Sequence, residues 1–190
     1  MKIPHLDKLL EKLPKAIRGT VLDHVRAVRD LFSEGKLEAA RQSSDREVKL
    51  AAARSIVETS SALCSTIAFE PIPLADFPFL TSVQLAMVGG IAYIAGRDVG
   101  AKAAAEFVAM LGTNVGVGLV LREGSRALLK LFPGWGSVIS SAIAGAGTYA
   151  LGKAATAYFL EGVSIEDARR IFRRDRKKKK NVVEIEAAKN

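Results

Sequence analysis

Thirteen of the sixteen glycines lie between Gly89 and Gly152, mostly within three long uncharged segments. These segments cover residues 77–96, 107–121 and 131–152. A glycine in a solvent-facing helix costs about 1 kcal/mol relative to alanine, so this many glycines need a compensating contact. The close approach of a second helix backbone supplies such a contact. The pattern therefore predicts tightly packed helices.

The third segment carries small residues at four-residue spacing. Ser137, Ser141 and Gly145 fall on one stripe of a helix, and Thr148 and Gly152 fall on the neighbouring stripe. Small side chains at this spacing allow another helix to come near. We therefore predict that these five residues pack against a neighbouring helix.

The composition and the remaining patterns indicate an all-α fold. Apolar residues make up 49% of the chain but aromatic residues only 6%, so most apolar residues are helix-compatible aliphatics. Apolar residues at three- and four-residue steps predict an amphipathic helix over 6–32, either kinked or divided into two helices at Pro14, and a break at 33–35. A second helix is predicted from Leu37 to Ala68, followed by an extended proline-rich hinge over 69–80.

These elements predict a helical bundle with three regions. Residues 1–61 form an amphipathic helical N-terminal region, 62–163 an apolar helical domain with a Gly/Ala-rich hairpin, and 164–190 a basic helix and tail. The first and third apolar segments have 20 and 22 uncharged residues, the length of a membrane-spanning helix. Prolines, many glycines and a mean hydropathy of only +0.17 favour a buried core instead. The sequence leaves both alternatives open.

The net charge of +8 comes from one segment. Residues 169–181 contain nine basic residues and one acid, while the rest of the chain balances at 19 basic and 19 acidic residues. Such a cluster after an apolar domain is typical of binding to anionic lipid, and Ser164 with Asp167 predicts a helix cap before it. The predicted lipid-binding residues are Arg169, Arg170, Arg173, Arg174, Arg176, Lys177, Lys178, Lys179 and Lys180.

Two alternatives to lipid binding apply to this basic segment. The first alternative is a solvated tail that aids solubility. Binding to nucleic acid is disfavoured because Phe172 is the one aromatic residue near the run.

A search for catalytic motifs finds one near-match. GTYALGKAAT, residues 147–156, has the glycines and lysine of a phosphate-binding loop, but Ala154 replaces the hydroxyl residue that would hold magnesium. The preceding residues have helical spacing where a phosphate-binding loop needs a strand, so we interpret the match as chance. No other pattern indicates a reaction centre, and we expect Asp76 to cap a helix.

Metal and cofactor sites are not expected. His5 and His24 lie far apart without a nearby cysteine, and the single cysteine, Cys64, excludes a cysteine cluster and an intramolecular disulfide. Cys64 is expected to be a small buried residue, which suits a reducing compartment. The charged N-terminal residues 1–17 do not have the continuous apolar core of a secretory signal, so export is not expected.

The run from about Ala62 to Gly162 resembles the bacterial domain of unknown function 697 family. PIPLADFPFLTSVQLAMVGGIA and LLKLFPGWGSVISSAIAGAGTYALGKAATAYFLEG carry the resemblance. It implies a helical, often membrane-associated protein, frequently placed behind a GTPase domain, and Lys153 as a recurring residue of a helix. In this chain an amphipathic N-terminal third takes the place of a GTPase domain, so the implied partner is a GTPase on another chain.

We therefore expect a non-enzymatic, all-α protein that associates with membranes, with a GTPase as partner and anionic lipid bound by the basic tail. The alternative is a soluble helical protein–protein interaction module with a buried apolar core. The first reading implies the cytoplasmic face of the inner membrane, and the second the cytoplasm. A homo-oligomer is compatible with either.

Overall fold

The computed structural model describes residues 34–69, 76–97, 101–111 and 136–176. Within these ranges it contains six α-helices and no strand, which confirms the all-α helical bundle. The helices are α1 (Glu34–Gln42), α2 (Arg46–Phe69), α3 (Asp76–Ile94), α4 (Ala101–Met110), α5 (Gly136–Phe159) and α6 (165–176). The predicted helix over 6–32, the Pro14 kink, residues 70–75 of the hinge and Lys177 to Lys180 lie outside the described residues.

The single helix predicted from Leu37 to Ala68 is wrong at residues 43–45, where the chain breaks between α1 and α2. The Asp45 amide donates a hydrogen bond to Ser43 Oγ at 3.1 Å, and Asp45 Oδ1 accepts one from the Glu47 amide at 2.8 Å. Asp45 therefore caps α2, because short polar side chains satisfy the free amides of a first turn. The predicted break at 33–35 is also displaced, since α1 already begins at Glu34.

Helices α2, α3 and α5 form the centre of the bundle. The closest neighbours of Gly145 are Ser61 and Ser65, whereas Gly152 lies against Val57 and Met87. Residue numbers thus rise along α5 as they fall along α2, so these two helices are antiparallel. The fully buried side chains of this core include Ile56, Leu63, Val83, Met87, Ile91 and Leu151.

Helix α1 is held on α3 by a polar cluster. Tyr93 Oη donates a hydrogen bond to Glu38 Oε2, and Gln42 Nε2 donates one to Glu38 Oε1 at 2.7 Å. The Arg41 guanidinium lies 4.4 Å from the centre of the Tyr93 ring. The hydrogen bond from Tyr93, aided by that from Gln42, lowers the pKa of Glu38, and the same bond to Glu38 raises the pKa of Tyr93.

The apolar segments differ in extent from their predicted bounds. The extended hinge predicted over 69–80 is wrong at residue 69, where α2 ends, and at 76–80, where α3 begins. Helix α3 starts at Asp76 and has Pro78 in its first turn, where a missing amide hydrogen costs no helical bond. Helix α5 continues to Phe159 rather than ending at 152, and α2 runs without interruption through the predicted region boundary at 61 and 62. Over the described ranges, none of the helices combines the length and apolarity needed to cross a membrane.

Candidate functional site

The basic helix α6 begins at a well-formed cap. Gly162 has a φ of +73°, a left-handed conformation that favours glycine, and it turns the chain out of α5. Ser164 Oγ then accepts a hydrogen bond from the Asp167 amide at 3.1 Å and donates one to Asp167 Oδ2 at 2.9 Å. These bonds correspond to the capping signature that the sequence indicates at Ser164 and Asp167.

One face of α6 joins the core of the bundle. Ala168 and Phe172 are buried, with exposed fractions of 0% and 3%, and Ile165 and Ile171 are half-buried beside them. Phe172 is therefore a packing residue, and its ring is not available for stacking on a ligand. The apolar face fixes which arginines of α6 point outward.

Three of the predicted lipid-binding arginines, Arg170, Arg173 and Arg174, lie on the outward face of α6. Arg170 pairs with Asp167 at 3.2 Å and Arg174 with Asp175 at 2.9 Å. The two arginine side chains remain 82% and 72% exposed, so water weakens these pairs and both guanidiniums stay accessible to an anion. We call Arg170, Arg173 and Arg174 the outer arginines.

The other two described arginines of this set point toward the fold. Arg169 is half-buried, and its Nε donates a hydrogen bond to the Met110 carbonyl oxygen at the end of α4. Arg176 is half-buried, and burial lowers the pKa of its guanidinium. The sequence placed all nine basic residues in one set, whereas the helix divides its five described arginines between an outer face and half-buried positions.

An aromatic cluster that sequence reasoning missed holds α4 against the end of α5. The Phe107 ring centre lies 5.2 Å from that of Tyr158 and 5.0 Å from that of Phe159. The Arg97 guanidinium lies 5.7 Å from the Tyr158 ring centre and 5.6 Å from that of Phe159, within the range of a cation–π interaction. Tyr158 and Phe159 are about sixty residues from Arg97 in the sequence, and no local motif links the cluster.

Two of the predicted helix-packing residues, Gly145 and Gly152, contact α2. A Cβ added to Gly145 would lie 3.3 Å from the Ser61 carbonyl oxygen, and one added to Gly152 would lie 2.5 Å from a methyl of Val57. Both glycines thus face α2 at very short range. Ser141 is half-buried, and Ser137 lies in the first turn of α5.

Thr148, the fifth of these residues, connects three helices through buried polar groups. Gln84 Nε2 of α3 donates a hydrogen bond to Thr148 Oγ1 at 3.0 Å, and the Cys64 thiol of α2 shares a hydrogen bond with the same hydroxyl. Burial raises the pKa of Cys64 to about 12, and the bond with Thr148 only partly opposes this rise. Cys64 is therefore a protonated and unreactive thiol in the folded chain.

The near-match to a phosphate-binding loop is helical throughout. Residues 147–156 belong to α5, and Thr156 Oγ1 donates a hydrogen bond to the Gly152 carbonyl oxygen at 2.9 Å. A phosphate-binding loop needs free backbone amides that converge on the phosphates, whereas these amides lie within a helix. Lys153 is exposed on the surface of α5.

The described ranges offer no group of three or more His, Cys, Asp or Glu residues that is arranged to hold a metal ion. His5 and His24 lie outside those ranges. Asp76 is the first residue of α3. Among the described residues, the best candidate for a ligand-binding site is therefore the set of outer arginines, which presents three accessible cations on one face of α6.

Comparison with known proteins gives one match. The family model described as a domain of unknown function (DUF697) matches residues 32–180. The match covers all six helices. Neither the curated proteins nor the solved structures contain a match to the chain.

Proposed function

This chain belongs to the DUF697 family, and from that premise we propose that it is a non-enzymatic protein that binds anionic membrane surfaces through α6. The observation that carries the proposal is the position of the outer arginines. Arg170, Arg173 and Arg174 are exposed on a helix whose opposite face is anchored by Phe172. The four consecutive lysines, Lys177 to Lys180, follow directly in the sequence and add four positive charges.

The anchoring of α6 matters for this proposal because it orients the charges. A basic group near an anionic bilayer contributes about 1 kcal/mol to binding, and the attraction falls off within a Debye length of about 10 Å at 0.1 M salt. A folded helix that turns three guanidiniums toward one side can bring all three within that distance together. Removing the three charges should therefore weaken binding by about 3 kcal/mol, or roughly 100-fold.

Vesicle sedimentation tests the proposal. The purified chain is mixed with vesicles of 30% phosphatidylserine in phosphatidylcholine, and with pure phosphatidylcholine, at about 0.1 M salt. The variant Arg170→Gln/Arg173→Gln/Arg174→Gln should lose roughly 100-fold in affinity for the anionic vesicles. The control Arg46→Gln/Arg54→Gln/Lys153→Gln removes the same charge from exposed positions on α2 and α5, and should bind nearly as the wild type does.

Three results would contradict the lipid proposal. The first is no binding of the wild-type chain to the anionic vesicles. The second is an equal loss in both triple variants, because this would mean that net charge alone decides binding. The third is tighter binding of the wild type to duplex DNA at the same salt concentration, with the loss confined to the α6 variant, which would make nucleic acid the ligand.

A GTPase partner is the second part of the proposal, and it is supported by the family likeness alone. The test begins with cross-linking in cells and identification of a linked chain that carries nucleotide-binding motifs. The purified partner is then assayed for GTP hydrolysis with and without this chain. A changed hydrolysis rate or nucleotide affinity supports an accessory role, and an unchanged rate and affinity contradict it.

The alternative function, a soluble interaction module, is favoured by one specific observation. The small residues Gly145 and Gly152 are occupied by contacts with α2 inside the chain, so they are not free for a second helix in a membrane. This alternative predicts a monodisperse protein without detergent that keeps its partner binding when residues 174–190 are deleted. Loss of vesicle binding together with retained partner binding in that deletion would separate the two activities.

A further inference from the structure

The end of α4 lies directly beside the basic helix. Arg169 Nε donates a hydrogen bond to the Met110 carbonyl oxygen, and the Phe107 ring of α4 packs on Tyr158 and Phe159. Two independent contacts therefore hold the last turn of α4 in place. The Met110 backbone is consequently held next to the helix that carries the outer arginines.

Met110 is unusually exposed for a large apolar residue. Among the described residues, two large hydrophobic side chains are exposed, Val48 at 45% and Met110 at 44%. Ala105 and Ala109, on the same helix as Met110, are also exposed, and Glu106 is the one acid of α4. The chain that continues from Leu111, GTNVGVGLVL over 112–121, carries no charged residue.

We infer that Met110 is the apolar contact of a composite membrane-binding face, in which the outer arginines attract the anionic headgroups and the methionine side chain enters the interface. This inference rests on the proposed function. An anionic bilayer fits the pair of features because it offers negative charge at the surface and apolar acyl chains a few ångströms below. Methionine suits such a contact, since its flexible thioether adapts to an irregular apolar environment.

The two parts of this face contribute differently to binding. Attraction by the outer arginines is screened by salt, whereas burial of the exposed part of Met110 is not. Burying the exposed part of the Met110 side chain in the bilayer interface corresponds to about a tenfold gain in affinity for the membrane. At about 0.5 M salt the methionine contribution should therefore persist while the electrostatic part declines.

An environment-sensitive probe at position 110 tests the inference. The Met110→Cys variant is labelled with a nitrobenzoxadiazole maleimide, and the native Cys64 stays unlabelled because it is fully buried. On vesicles of 30% phosphatidylserine the probe emission should rise and shift to shorter wavelength. The same probe on Val48→Cys is the matched control, because Val48 is equally exposed but lies in the first turn of α2 beside Glu47, and its emission should not change.

A second measurement does not depend on labelling. In about 0.5 M salt, Met110→Ser should bind anionic vesicles about tenfold more weakly than the wild type, and Val48→Ser should match the wild type. Failure of the wild-type chain to bind anionic vesicles at low salt would contradict the proposed function itself. If the wild type binds anionic vesicles but the probe at position 110 shows no change in emission, this inference alone is overturned. An emission change produced by duplex DNA or a protein partner, and not by vesicles, would also overturn it.

Discussion

The contact between Gly152 and α2 makes Gly152→Ala the most direct test of the packing. The added Cβ would lie 2.5 and 2.7 Å from the two methyls of Val57 and 3.1 Å from Met87 Sδ. Carbon atoms in good contact are about 3.5–4.0 Å apart, so each methyl is too close by about 1 Å. Val57 has little freedom to adjust, because a β-branched side chain in a helix strongly prefers one χ1 rotamer.

Two opposing contributions set the expected free energy of unfolding. Replacing a helical glycine by alanine stabilises a helix by about 1 kcal/mol, while forcing a methyl group into a packed core costs about 1–3 kcal/mol. The restricted rotamer of Val57 favours the upper part of that range. We expect Gly152→Ala to lower the free energy of unfolding by about 1–2 kcal/mol.

Urea denaturation followed by circular dichroism measures this change, with Gly35→Ala as the control. Gly35 is exposed in α1 and no atom lies within 4 Å of its Cβ position, so its alanine variant should be more stable by about 0.5–1 kcal/mol. Labelling of Cys64 by a thiol reagent gives a second readout, since this buried thiol reacts only when the helices open, and Gly152→Ala should react faster. If Gly152→Ala stabilised the chain as Gly35→Ala does, the close approach of α2 and α5 would be refuted.

Two further predictions concern buried and pH-dependent polar groups. Thr148→Val leaves the buried Gln84 amide without its hydroxyl partner and should lower the free energy of unfolding in urea by about 1–3 kcal/mol. Ser60→Ala should not destabilise the chain, because Ser60 Oγ is buried and makes no hydrogen bond. A larger loss in Ser60→Ala than in Thr148→Val would contradict the hydrogen bond between Gln84 and Thr148. The pKa of Glu38 is lowered, so its contribution to stability is present above the ordinary pKa of 4.5 and is lost as the pH falls through the pKa of the folded state. The pKa of Tyr93 is raised, so its contribution is present below 10.0 and is lost as the pH rises through the pKa of the folded state. Thermal melts at acid pH should show a loss of stability in the wild type and a smaller loss in Glu38→Gln.

The helical architecture could be predicted from the sequence because it depends on local patterns. Uncharged segments of helix length, proline positions and the Ser164 cap each act within a few residues, and five of the six helices fall where such patterns indicated them. Within the described chain the exceptions are the start of α3 at Asp76, inside the predicted hinge, and the break at 43–45. At that break Asp45 Oδ1 accepts a local hydrogen bond from the Glu47 amide. The apolar periodicity on both sides fits one continuous helix, so the sequence pattern did not indicate the break.

The spatial partners could not be predicted, because they depend on contacts between distant parts of the chain. Arg169 and Arg170 are adjacent and chemically identical in the sequence, yet one donates to the Met110 carbonyl and the other is exposed. The division follows from the burial of Phe172, which sets the rotation of α6. A helical-wheel argument that began from Phe172 as a core residue would have separated these arginines, whereas treating Phe172 as a possible stacking aromatic obscured that signal.

The resemblance of residues 147–156 to a phosphate-binding loop has a physical origin in helix geometry. Gly145 and Gly152 are seven residues apart, almost two helical turns, so both face α2, where a side chain would collide. The next residue after Gly152 is rotated by about 100°, which turns Lys153 to solvent, where a lysine is favourable. A buried glycine followed by an exposed lysine thus produces the Gly-Lys pair of the motif. The same letters therefore arise here from close helix packing, and changing Lys153 should leave the packing of α5 intact.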